Sequence, residues 1–220
     1  MFDNGEIHVL WICGLPYVHK ADAAGNRLEL LAVPIPRGER YGDRPVYFSD
    51  IVVRRDRPFK SFLDLRGASW AYNEPRSHSG FNVVRAHLNE LGQPAKFFGV
   101  VVESGAHSAS LEMILSGRVD GAAIDSTVLE WFAAQRAELA DEIRVIDSIG
   151  PSPIPPWVIS RQVPEGLRSA LRALLLGLHK EAFGKVILEG ARLERFVAAA
   201  DHDYNPIRAM AEKAAEVSLA

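Results

Sequence analysis

Residues 67–102 read GASWAYNEPRSHSGFNVVRAHLNELGQPAKFFGVVV, and the order of patterns in this stretch decides the fold. GASWAY (67–72) is short and mostly apolar, which predicts a strand. NEPRSHSG (73–80) carries turn formers and hydroxyls. Residues 80–91 then place Phe81, Val84, Leu88 and Leu91 on one face of a helix. KFFGVVV (96–102) returns to a strand pattern. Strand, helix and strand with short connections make a βαβ unit, and such units close right-handed onto a parallel sheet.

The alternation extends in both directions. IHVLWI (7–12), RLELLAVPI (27–35) and SDIVVRR (49–55) read as strands on the amino-terminal side. GAAID (121–125) and EIRVIDSI (142–149) continue the series, with helix-period segments at 108–116 and 126–138 between them. Thr127 and Glu130 have capping-box spacing at the second of these. After Pro156 one strand (157–162) is followed by helical segments at 164–180, about 180–188 and 205–217. The class is α/β: two lobes, each a mostly parallel sheet flanked by helices, with a ligand cleft between them.

Four prolines in the six positions 151–156 mark a stiff connector. A second connector near RDRPFKSFLDLRG (55–67) divides the chain into lobe one (1–65 and 152–220) and lobe two (66–151). Composition narrows the functions this framework can serve. The net charge of −3 gives no bulk attraction to nucleic acid or to an anionic membrane. A single cysteine, Cys13, excludes an intramolecular disulfide and a multi-cysteine metal site. Neither a His-x-x-x-His pair nor a cysteine pair supports a metal, and no cofactor is expected.

Ser77, His78, Ser79 and Gly80 fall between strand 67–72 and helix 80–91, at the carboxyl edge of the sheet where open α/β folds bind ligands. Hydroxyls and unpaired N–H groups at a helix start favour an anion. The alternative is that Ser77 or Ser79 only caps the helix. The same pattern recurs at ESGAHSASLEM (103–113), with His107 before a helix, and at DSTVLE (125–130), with Asp125 and Ser126 at a strand–helix junction. Three strand ends carrying polar groups can converge on one crevice. Asp125 would accept from a protonated oxyanion or pair with an ammonium group; its alternative role is a helix cap. Ser79, His107 and Asp125 also contain the residue types of a hydrolytic triad, but no Gly-x-Ser-x-Gly elbow surrounds the serine.

FLDLRGASWAYNEPRSHSGFNVVRAHL, SGAHSASLEMILSGRVDGAAIDS, PIPPWVIS and HDYNPIRAM, in this order across most of residues 10–212, resemble the phosphate, phosphite and phosphonate substrate-binding proteins of ABC transporters. That resemblance implies a type II periplasmic binding-protein fold. It also implies a site in which Ser77, His78, Ser79 and Gly80 grip an oxyanion beside His107, Asp125 and Ser126, with Tyr17 and Tyr47 closing from the other lobe. The implied function is capture of a small phosphorus oxyanion, or a related organic anion, for an ABC permease by a monomeric periplasmic protein. A ligand-sensing clamp for a signalling partner is the nearest alternative, and a Ser/His-dependent hydrolase a more distant one. MFDNGEIHVLWICG lacks the pattern of a secretory signal. The first strand and helix of lobe one are expected to be missing, so that a fragment or a misplaced start is expected; if the start is genuine, the chain is cytoplasmic.

Overall fold

The computed structural model describes residues 2, 4–25, 27–93 and 95–219. Nine strands and eight α-helices follow one another along them: β1 (Val9–Trp11), α1 (Gly14–Asp22), β2 (Leu28–Pro36), β3 (Val46–Arg54), β4 (Ser69–Tyr72), α2 (Val83–Glu90), β5 (Val100–Glu103), α3 (His107–Leu115), β6 (Gly121–Asp125), α4 (Ser126–Gln135), α5 (Leu139–Glu142), β7 (Ile143–Pro153), β8 (Trp157–Ser160), α6 (Glu165–Gly177), α7 (Ala182–Gly190), β9 (Leu193–Val197) and α8 (Asn205–Ala214). They divide into two compact units, Met1–Tyr47 with Ser152–Arg208 and Phe48–Pro151 with Ala209–Ala220.

The first unit holds a four-stranded sheet in the order β1-β8-β2-β9. Each pairing in it is antiparallel, which corrects the expectation of a mostly parallel sheet in lobe one. The reason is topological: β8 enters after a long excursion of the chain and lies between β1 and β2, running against both. Leu31, Ile159 and Val163 form one core patch under Leu171 and Leu175 of α6. Ala32, Leu188 and Phe196 form another. Trp11 is 54% exposed, and its indole N–H donates to the Pro155 carbonyl at 2.9 Å.

The second unit holds a five-stranded sheet in the order β5-β4-β6-β3-β7. β4 runs parallel to both β5 and β6, as the βαβ reading predicts, while β3 pairs antiparallel with β6 over five residues. That pairing explains why residues 48–65 belong to this unit and not to lobe one as the connector near 55–67 suggested: moving β3 would strip a central strand of its ladder. The carboxyl-terminal segment also departs from lobe one, because Val217 and Leu219 are buried with Trp70, Phe97 and Phe98.

β5 begins only at Val100, because Phe97 and Phe98 lie in an irregular segment that hydrogen-bonds to Gly67 and to Leu219. Both rings fill the core, Phe98 stacking on Trp70 at 4.4 Å. β7 runs on through Pro151 and Pro153, a length the proline-rich pattern hid. It is an edge strand, the position in a sheet that tolerates proline.

Candidate functional site

The carboxyl ends of β4 and β6 carry the polar cluster. After Tyr72 the chain turns through Asn73, and residues His78–Asn82 form a single π-helical turn that leads into α2. Its widened geometry is visible in the Asn82 N–H, which donates to the Ser77 carbonyl at 3.0 Å, five residues back. Ser77 is the cap of this turn: its Oγ accepts from the Gly80 N–H at 3.0 Å. The capping alternative therefore holds for Ser77.

Ser79 does something different. Its Oγ lies 3.0 Å from Nε2 of His107, the first residue of α3, joining the loop after β4 to the loop after β5. The same two loops are tied through backbone, Gly105 N–H donating to the Asn73 carbonyl at 2.8 Å. Burial pushes the His107 imidazole down to about 4, against a weaker opposite pull from a hydrogen bond to the Ala123 carbonyl. A neutral ring at physiological pH has one donor and one acceptor nitrogen.

His78 points elsewhere. Its side chain is fully buried, Nδ1 sits 3.3 Å from the Asn82 amide nitrogen, and desolvation lowers it to about 4. It is buried within the turn. Gly80 meets a steric demand. A Cβ at this position would run into the Asn73 side-chain amide and approach His107 Cε1 at 3.3 Å, so the glycine makes room for protein groups.

Asp125 ends β6 and caps α4, its Oδ1 accepting from the Thr127 N–H at 2.8 Å and hydroxyl at 2.7 Å. This replaces the predicted capping box at Thr127 and Glu130. Burial pushes the Asp125 carboxyl up to about 6, against the lowering pull of the Thr127 bonds; nearby Asp50 adds to the rise. A triad of Ser79, His107 and Asp125 is not assembled, since these Asp125 bonds go to its own helix and His107 Nδ1 has no carboxylate. Ser126 Oγ accepts from the Phe48 N–H at 3.0 Å, fastening β3 to the start of α4. Among the described residues no group of three or more His, Cys, Asp or Glu could hold a metal ion.

Two residues escaped the sequence reading. Asn73 has a buried Oδ1 without a partner, beside Gly80 and His107. Ser49 lies directly across the β3–β6 ladder from Asp125, and its Oγ is likewise buried without a partner. Asn73 directly follows a predicted strand, the place where ligand groups collect in α/β folds, and that was its one available signal.

The tyrosines lie at other addresses. Tyr17, in α1 of the first unit, donates its hydroxyl to Asp201 Oδ1 at 2.8 Å and packs its ring 4.5 Å from Tyr204. Burial, then the Asp201 contact, raise its pKa well above the ordinary range. Tyr47 is fully buried at the end of the same unit.

Two α/β units, with hydroxyls, histidine and backbone N–H groups gathered at parallel strand ends, define a substrate-binding protein of the type II periplasmic class. Residues 1–204 match the family described as the periplasmic substrate-binding protein of phosphonate ABC transporters. The chain belongs to this family, a periplasmic one that supplies the substrate-binding component of ABC transporters. No curated protein sequence gives a significant match. Among solved structures, a binding-protein component of an ABC phosphonate transporter from Pseudomonas aeruginosa is similar, with a TM-score of 0.82 at 19% identity over 94% of this chain and 68% of that one. PhnD1 from Prochlorococcus marinus, in complex with methylphosphonate, gives 0.79 at 19% identity over 98% and 81%. A Xanthomonas citri protein bound to ATP gives 0.72 at 14% identity over 96% and 79%. These likenesses show the fold. Among the described residues no helix is long and apolar enough to cross a membrane.

Proposed function

We propose that this protein captures a small phosphorus oxyanion, a phosphonate, phosphite or phosphate, and presents it to an ABC permease without chemical turnover. The observation that carries this reading is the junction of Ser79 with His107, built where two parallel strand ends meet a helix start. A ligand oxygen placed there would receive the Ser79 hydroxyl and turn N–H groups, with the helix dipole favouring its charge. His107 would donate or accept according to its tautomer, and Asp125 would accept from a P–OH group or pair with a ligand ammonium. Ser77, Gly80 and Ser126 shape the turn and the α4 start beside it. Tyr17 and Tyr47 are the first unit's candidate ligand contacts, and Tyr17 would have to give up its bond to Asp201 before donating to an anion. The protein acts as a monomer without a nucleic-acid partner, in the periplasm.

Calorimetric titration with methylphosphonate, 2-aminoethylphosphonate, phosphite and phosphate tests the reading, repeated on Ser79→Ala and Asp125→Ala. One-to-one saturable binding weakened in both variants is expected, with Asp125→Ala costing the amino ligand more. A folded protein that binds none of the four, or that turns over a phosphonate ester, would contradict it.

A further inference from the structure

Asn73 holds a place that neither the capping pattern nor the oxyanion chemistry explains. Its Oδ1 is a buried acceptor without a hydrogen-bond partner, an arrangement that destabilises the fold and is rare unless something else requires it. The amide is wedged beside Gly80, in the volume that a Cβ there would need, and His107 Cε1 borders the same volume. Through its carbonyl Asn73 also holds Gly105 at 2.8 Å, two residues before His107. One residue thus touches both loops whose meeting point is the Ser79–His107 contact.

We propose that Asn73 is a positioning residue of the oxyanion site, its amide setting the height of the Ser79–Gly80 turn over His107. The proposal rests on reading this turn as the ligand's seat. The fit is steric: glycine at 80 and asparagine at 73 share one space, so enlarging one must displace the other. A displaced turn carries Ser79 Oγ away from Nε2. Because the amide acceptor is unpaired, removing it relieves a cost in the folded state while loosening the turn. Stability and binding are therefore expected to move in opposite directions, which a residue serving only the fold would not do.

The test compares wild type, Gly80→Ala, Asn73→Ala and the double variant by calorimetry with methylphosphonate, by thermal melting and, without ligand, by the His107 ring-nitrogen shifts in NMR. Gly80→Ala is expected to weaken binding at least about 100-fold and to shift the His107 Nε2 signal. Adding Asn73→Ala to it should restore affinity to within about threefold of the Asn73→Ala protein and return the signal. Asn73→Ala alone should lose roughly three- to tenfold in affinity with an unchanged or raised melting midpoint. A double variant no better than Gly80→Ala would overturn the proposal. So would an Asn73→Ala protein that binds like wild type, or one whose midpoint falls along with its affinity. If the His107 signals follow the expected pattern while wild type binds no phosphorus oxyanion, the positioning role stands and the functional reading fails.

Discussion

The turn at Ser77–Gly80 and the tyrosine cluster of the first unit use the same kinds of polar atom to opposite ends. Around Tyr17 the hydrogen bonds close on themselves: Tyr17 donates to Asp201, Arg208 clamps Asp201 and Asp22, and Tyr204 donates to the Ile154 carbonyl. Around Ser79 they do not close. Asn73 Oδ1, just after β4, and Ser49 Oγ, across the ladder from the end of β6, are buried without partners. A cluster in which each donor has an acceptor is built for stability, whereas one that tolerates open valences is built to receive something.

The largest expected effect separates the two regions by affinity. Ser79→Ala should weaken methylphosphonate binding by roughly 30- to 100-fold, the scale of a lost hydrogen bond to a charged group. Its melting midpoint should stay within about 2 °C of wild type, since only the Ser79–His107 contact is lost from the fold.

The next effect is acid sensitivity. His78 titrates near 4 in the folded protein and near 6.5 unfolded, so its contribution is complete above about pH 6.5 and is lost as pH falls toward 4. The swing is about 3 kcal/mol, and His107 acts in the same direction. Asp125 acts oppositely: its raised pKa makes stability greatest below the ordinary carboxylate range and lower as pH rises through about 6. His87, lowered by burial as well, joins His78 and His107, and three histidines against one aspartate leave a net loss on acidification. Denaturant titrations from pH 7 to pH 4.5 on wild type and His78→Gln should show a shallower pH dependence in the variant; equal slopes would remove His78 as the cause.

Smaller changes belong to the tyrosine cluster. Tyr17→Phe should lower stability by about 1 kcal/mol, the net value of one hydrogen bond, and alter affinity less than about threefold. A tenfold loss of affinity without a loss of stability would move Tyr17 into the ligand site. Smallest of all, Arg195→Ala breaks an exposed pair with Asp43 and should leave the melting curve unchanged.

Much of the second unit was legible because its signals are local. The apolar run at 67–72, the helical period of 80–91 and the polar strand ends each occupy a few consecutive residues, and β4 and α2 follow from them. What the sequence hid depends on distant chain. The antiparallel direction of the first sheet is set by where β8 inserts, and residues 48–65 join the second unit because β3 pairs with β6, about 70 residues away. β9 (Leu193–Val197) carries Glu194 and Arg195 in a short strand that alternation alone does not single out. α1 was missed because Gly14 and Pro16 look like turn residues, although proline is at home in a first helical turn. His78 was assigned to the ligand by its neighbours in sequence; which way a side chain points within a π-helical turn is a matter of tertiary packing, and here it points into the interior.

The central claim, that the open valences around Ser79 receive a phosphorus oxyanion, is tested most directly by calorimetric titration of methylphosphonate into wild type and Ser79→Ala at matched thermal stability. Saturable one-to-one binding by wild type and a loss of at least about 30-fold in the variant is the predicted result. Equal affinity in the two proteins, or no binding by a folded wild type, would contradict it.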